Sequence, residues 1–274
     1  MKILIAADME GITGVVDWVH VDPSHAEYQR FRRLMTQEVN AAVAGAAEAG
    51  ADEFIVADGH GDAKNILIED LDARARLNSG TPSPFAMVQG VESGVQAAFF
   101  IGYHAHMSTE SAVLAHTWSS SLVSNVWMNG RLVGEIGLNA AVCGSFGVPV
   151  LLLTGDRAAC REAQDWLPGI EVVEVKSASS RHAAECLPPS VTHPLIQQAA
   201  ARAVKNFQGQ PSFILEVDLP VKITIEFLHA GMADRAALLP ALTRIDGRRV
   251  ELSADDMPAA YRLARSAIAL ARSN

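Results

Sequence analysis

Four stretches in the first half of the chain each end an apolar run with a side chain able to bind a metal. Ile3–Ala7 runs into Asp8-Met-Glu10-Gly, Glu53–Ala57 into Asp58-Gly-His60-Gly61, Ala97–Gly102 into Tyr103-His104, and Ser111–Ala115 into His116. Asp, Glu and His are the ligand set of zinc and related hydrolytic metals. An open α/β sheet builds its site at the carboxyl edge of its strands, so acids and imidazoles far apart in sequence can meet there. The chemistry this points to is metal-dependent hydrolysis.

Asp8 and Glu10 stand two apart, and on an extended chain both carboxylates project from one face. Two such charges repel and raise a pKa unless a cation lies between them. His60 has a glycine on each side, which lets the backbone turn sharply and come close to a ligand; it can equally be a turn histidine capping a helix near Asp62. Asp58 either orients a ligand histidine or caps that same helix. His104 and His106 flank Ala105, so both can face the site, or one decorates the surface. His116 can be a metal ligand, a general acid/base or a core histidine. Glu135 sits at an expected helix start, where a carboxylate suits the helix dipole whatever else it does. His20, His25, His182, His193 and His229 lie in ordinary contexts, although His229 ends a strand. Taken together, Asp8, Glu10, His60 and His104 are enough ligands for two metals rather than one. Ions about 3.5–4 Å apart commonly share a carboxylate, and Asp8, on the first and central strand, is the expected bridge.

The elements that must position these groups are legible as an alternation of apolar runs and amphipathic stretches. Ile3–Ala7 reads as a strand buried on both faces. Ser24 and Glu27 form a capping-box signal for a helix reaching Ala49 and stopping at Gly50, and Phe54–Ala57 closes a right-handed β-α-β unit. Ala97–Ile101 is a third inner strand. Asn129-Gly130 between Val126–Met128 and Arg131–Val133 signals a type I′ hairpin. A helix over Ile136–Phe146, a strand over Pro149–Leu153, a helix over Arg157–Trp166 and a strand over Val172–Val175 follow. Ser177–Ser180 and Pro188-Pro189 mark looser chain. Beyond it, Val221–Phe227 alternates as a half-buried strand, Asp246-Gly247 joins a second hairpin, and an amphipathic helix covers Asp255–Arg272 with Ser253 and Asp256 as its capping signal. The expected fold is α/β: a mostly parallel sheet flanked by helices in a catalytic domain over 1–178, with a smaller α+β domain over 179–274.

The 274 residues carry 49% hydrophobic and 19% charged side chains, a globular balance. The net charge of −9 and the scattered arginines argue against nucleic acid as a partner. The three cysteines, Cys143, Cys160 and Cys186, form no CxxC or CxxH pattern and fit reduced thiols in the cytoplasm. No stretch reaches the roughly 18 apolar residues of a membrane span, and no signal peptide opens the chain. A GxGxxG turn, a P-loop lysine motif and a G-x-S-x-G elbow are all missing, which disfavours nucleotide binding and serine hydrolysis.

The strings Asp8-Met-Glu-Gly-Ile-Thr-Gly14, Asp58-Gly-His-Gly61, Gly102-Tyr-His-Ala105, the isolated His116 and Gly134-Glu-Ile-Gly-Leu-Asn139 resemble, in order and spacing, the D-aminopeptidase family of dinuclear zinc metallopeptidases. Met35-Thr-x-Glu38 and the Val-Pro-Val-Leu stretch from Val148 extend the likeness, which continues more weakly at Ile225-Glu-Phe227 and Asp256-Met257. The resemblance implies that Asp8, Glu10, His60, His104 and Glu135 hold two zinc ions per subunit, with Asp8 shared, and that His116 acts in catalysis beside them. It also implies removal of an N-terminal residue, such as D-alanine, from short peptides, and ring-shaped homo-oligomers. His106 departs from the motif. The competing readings are a metal-dependent amidase or deacylase, an L-specific aminopeptidase on the same scaffold, and a non-catalytic small-molecule binding module.

Overall fold

The computed structural model describes residues 1–209 and 212–272. In chain order the main elements are β1 (Lys2–Ala7), α1 (Tyr28–Glu48), β2 (Glu53–Asp58), β3 (Ala75–Asn78), β4 (Ala97–Tyr103), β5 (Val123–Met128), β6 (Arg131–Leu132), α2 (Glu135–Ser145), β7 (Val150–Asp156) and α3 (Arg157–Trp166). There follow β8 (Glu171–Ser180), β9 (Ala183–Cys186), α4 (Pro189–Gly209), β10 (Val221–Phe227), α5 (Ala230–Ala236), β11 (Leu242–Arg244), β12 (Arg249–Ala254) and α6 (Met257–Ala271). Two sheets result. A seven-stranded sheet runs β3-β2-β1-β4-β7-β8-β9, parallel except for β9, and a five-stranded antiparallel sheet runs β11-β12-β10-β5-β6.

Strand period two divides the core of the larger sheet between its faces. Ile3, Ile5, Phe99 and Ile101 pack with α1 and α4, whereas Leu4, Ala6, Phe100 and Tyr103 pack with α2, α3, the second sheet and α6. Each fully buried side chain of this kind contributes about 1.5–3 kcal/mol. Burial on both faces explains why β1, β4 and β7 read as unbroken apolar runs. It also fixes β1 and β4 side by side at the centre, so that their carboxyl ends emerge together.

Several local expectations differ from what forms. The Ser24–Glu27 capping box is not made: residues 22–27 go through turns, and α1 starts at Tyr28 after Glu27, whose side chain makes no cap bond. Gly50, with φ +97, does end that helix in the left-handed conformation expected of a C-terminal glycine. Asp256 rather than Ser253 caps α6, accepting from the Ala259 amide at 2.7 Å. Ser177–Ser180 is not loose chain but the end of β8, paired with β9. The helix α4 and the strand β3 had no clear counterpart in the sequence reading. The parts expected on either side of residue 178 exchange elements: β5 and β6 join β10 and β12 in the second sheet, and α4 packs on α1.

Candidate metal centre

The first segment of the site is the turn after β1. It passes so close to the end of β4 that only glycines fit. A Cβ on Gly11 would lie 2.0 Å from the Tyr103 carbonyl oxygen, and one on Gly102, at φ +74, would lie 2.3 Å from the Asp8 oxygen. The Gly11 amide instead donates to the Gly102 oxygen at 2.8 Å. Lys176 of β8, buried behind this turn, donates to the carbonyls of Glu10, Ile12 and Val15 at 2.6, 2.9 and 2.7 Å. Glu38 of α1, also buried, accepts from the Thr13 amide at 2.8 Å. The turn is thereby held from both sides, with Asp8 and Glu10 facing forward.

The second segment follows β2. Asp58 accepts from the amides of Asn65 and Ile66 and from the Asn65 side chain, which in turn donates to the His60 carbonyl. Asp58 therefore shapes the loop that carries His60 and neither caps a helix nor touches the imidazole of His60. The third segment is His104, one residue past β4. The fourth is the loop bearing His116, and the fifth is the first residue of α2, Glu135, whose Oε1 accepts from the Trp118 amide at 2.6 Å.

All six residues singled out from the sequence converge. His60 Nδ1 lies 2.9 Å from Glu10 Oε2 and 3.5 Å from Asp8 Oδ1. His104 Nε2 lies 3.3 Å from Asp8 Oδ2 and 3.5 Å from Glu135 Oε1. His116 Nε2 is 3.9 Å from both Glu10 Oε1 and Glu135 Oε1, and its ring stacks on that of His104 at 4.0 Å. In each histidine the other ring nitrogen faces a main-chain oxygen: Val21 for His60, Ala105 for His104 and Leu114 for His116. Such a carbonyl fixes the N–H on the far side and turns a lone pair toward the cluster, as around ligated metals. His106 is elsewhere, its amide donating to Glu162 at 2.8 Å. His20 stacks on Phe31, and His229 is the N-cap residue of α5.

The electrostatics fit cations. Asp8, Glu10 and Glu135 are nearly sealed from solvent, at 2%, 2% and 5% exposure. Burial, with Glu10 beside it, pushes the Asp8 carboxyl up, and burial pushes Glu135 up to about 7 against the pull of His104. Burial works against ionising Glu10 too, but His60 overcomes it and holds that carboxyl well below its ordinary range. The carboxylates likewise outweigh burial at His60, raised well above the usual imidazole value, and at His104, raised to about 9. His116 goes the other way, down to about 3, through burial and the neighbouring His104 charge. Three buried acids in one cluster require positive charge beside them.

The donor set also passes a direct test for metal. Asp8 Oδ2 is buried and has no hydrogen-bond partner among the described residues, a costly state that a coordinated cation removes. The ligand atoms of Asp8, Glu10 and His104, and separately those of His104, His116 and Glu135, lie within 4.8 Å of one another. These overlapping groups offer borderline nitrogen and hard oxygen donors suited to zinc. A cleft of about 190 Å³ opens over them, lined also by Trp18, Trp118, Ser119 and Ser120. Sequence reasoning passed over both tryptophans and Lys176. The closeness of Trp118 to His116 in sequence was the available signal; Lys176, in the mixed strand EVVEVKSASS, had none.

A family model described as D-aminopeptidase matches residues 1–266. The chain belongs to the D-aminopeptidase family. It is 38% identical over 262 residues to a D-aminopeptidase of Bacillus subtilis (strain 168), covering 95% of this chain and 94% of that one. Its fold superposes on the Zn-dependent D-aminopeptidase DppA from Bacillus subtilis, described as a self-compartmentalizing protease. The TM-score is 0.96 at 36% identity, over 100% of this chain and 99% of the other. As a D-aminopeptidase family member it is a metallopeptidase of mixed α/β fold, and no helix among its described residues is long and apolar enough to cross a membrane.

Proposed function

We propose that this enzyme removes the N-terminal residue, in the D configuration and typified by D-alanine, from short peptides, using two zinc ions per subunit. The observation that carries the reading is the way Asp8 is shared: Oδ1 faces His60 and Oδ2 faces His104. A carboxylate with its two oxygens aimed at different imidazoles is placed to bridge. Asp8, Glu10, His60, His104 and Glu135 would hold the ions. When bound, the ions supply Lewis-acid activation of water and of the scissile carbonyl.

The residues of the chain do the rest. His116 has its Nδ1 on the Leu114 carbonyl, so Nε2 is the free base, 3.9 Å from two of the carboxylates. With burial and His104 holding its pKa down at about 3, Nε2 would carry the proton of the attacking water only in passing and hand it to the leaving nitrogen. Trp18, edge-on to His116 at 5.5 Å, and Trp118 wall the cleft and limit bulk water. The carboxylate-rich end suits a substrate that presents a free α-amino group. The same reading gives a ring-shaped homo-oligomer in the cytoplasm. It is supported by the self-compartmentalizing description of the relative and by exposed Ile68, Leu219 and Leu238.

The test is hydrolysis of D-Ala-D-Ala against L-Ala-L-Ala by zinc-loaded protein, with and without chelator. Chelator-sensitive turnover of the D,D-peptide is expected. Turnover that survives chelation would end the metal reading, and equal or faster cleavage of the L,L-peptide would end the stereochemical one.

A further inference from the structure

The cleft over the metal ligands does not stop at Glu135. A groove of about 420 Å³ continues from Gly59, Trp118 and Glu135 along Met87 to Arg265 of α6. One residue spans the interval. The Trp118 amide donates to Glu135 Oε1, and the indole of the same residue lies 6.0 Å from the Arg265 guanidinium carbon. Trp118 holds φ at +67, a left-handed conformation that is unfavourable for a bulky side chain. Its ring is kept there edge-on against Tyr261, at 5.2 Å. Strain of this kind at the junction of two pockets is worth maintaining where the indole has to form the floor between them.

Arg265 is anchored but not used up. Its Nη1 donates to the Ser83 and Pro84 carbonyls at 2.7 and 3.1 Å, while Nε and Nη2 have no protein acceptor among the described residues. Tyr261 flanks the same guanidinium at 5.8 Å. Arg265 is therefore a preorganised, half-buried cation with donors to spare, the arrangement that favours a carboxylate. Asp62 and Arg272 also line the groove, but both are exposed, whereas Arg265 is half-buried and held. The cavity is thus polarised, with three buried acids at one end and a held guanidinium at the other. A short peptide in zwitterionic form has the matching polarity, and a di- or tripeptide spans only about 7–11 Å when extended.

We infer that the groove from Glu135 past Trp118 to Arg265 seats the leaving part of the peptide, and that Arg265 binds its free C-terminal carboxylate. This rests on the peptidase reading above and adds to it a substrate class: di- and tripeptides with an unblocked C-terminus. Arg265 acts as a specificity residue and takes no part in bond cleavage.

The experiment compares D-Ala-D-Ala with D-Ala-D-Ala-amide, both cut at the same bond, in wild-type, Arg265→Gln and Arg265→Lys proteins loaded with zinc. The wild type should prefer the acid over the amide by about ten- to a hundredfold in kcat/KM, mostly through KM. That ratio should collapse toward one in R265Q and recover in part in R265K. Equal use of acid and amide by the wild type, or a ratio unchanged in R265Q, overturns the carboxylate subsite and leaves the peptidase reading intact. A parallel loss on both substrates with the ratio preserved assigns Arg265 a purely structural role and also overturns it. If the wild type cleaves neither compound, the peptidase reading and this extension fall together.

Discussion

Lys176 donates its ammonium to the main-chain carbonyl of Glu10 at 2.6 Å, from the opposite side of the backbone to the cluster that Glu10 joins. With Ile12 and Val15 also bound, one buried cation sets the path of the whole turn after β1. Lys176→Met leaves the buried Glu10 and Val15 carbonyls without that donor, each costing about 1–3 kcal/mol, and leaves Ile12 with the Val15 amide alone. Thermal stability should drop, zinc occupancy should drop with it, and kcat/KM should fall at least about tenfold. A variant that melts lower yet binds zinc like the wild type would show that Lys176 stabilises without positioning Glu10.

Removing the ions should uncover the repulsion among Asp8, Glu10 and Glu135. Chelation is expected to abolish turnover reversibly and lower Tm, because ions that bind only the folded protein stabilise it. Asp8→Ala should lose both ions. Elemental analysis showing full zinc content in that variant would remove Asp8 from the bridging role.

His116→Ala separates two roles that the geometry leaves side by side, since Nε2 lies close to candidate ligands. As an acid/base, its loss should reduce kcat by about 10²–10⁴ while two zinc ions per subunit stay bound. Finding only one ion in the purified variant would make His116 a ligand instead.

Glu38 gives a prediction for pH. Burial pushes this carboxyl from 4.5 up to about 7, although the Thr13 hydrogen bonds and the charge of Lys176 pull it down. The folded state therefore binds more protons than the unfolded state between those values, and stability falls as pH rises through them. The contribution is at most about 3 kcal/mol. Glu38→Gln should flatten the decline between pH 5 and pH 8 in denaturant titrations of metal-free protein. An unchanged slope would show that Glu38 is ionised throughout.

The site was more legible in the sequence than the architecture around it. An apolar run broken by Asp, His or Glu beside glycine states where a buried strand ends and what it offers there, so Asp8, Glu10, His60 and His104 could be grouped at once. Glu135 and His116 needed the ordered likeness to a known family, because neither has a local signal beyond a helix start and a strand-like run. Lys176 was not legible: its value lies in three carbonyls more than 160 positions away. Nor was the pairing of β5 with β10, since a hairpin signal fixes its own two strands and says nothing about a third. The helix α4 was obscured by prolines at 188, 189 and 194, the last of which lies within the helix itself.

The second sheet has a further consequence. His116 and Trp118 lie on the segment leading into β5, which is stitched to β10, and Arg265 arrives only with α6. The wall of the cleft is therefore built from chain far from the turns after β1 and β2, so a substitution that unpicks β10 from β5 should shift His116 and Trp118 while leaving Asp8, Glu10 and His60 in place.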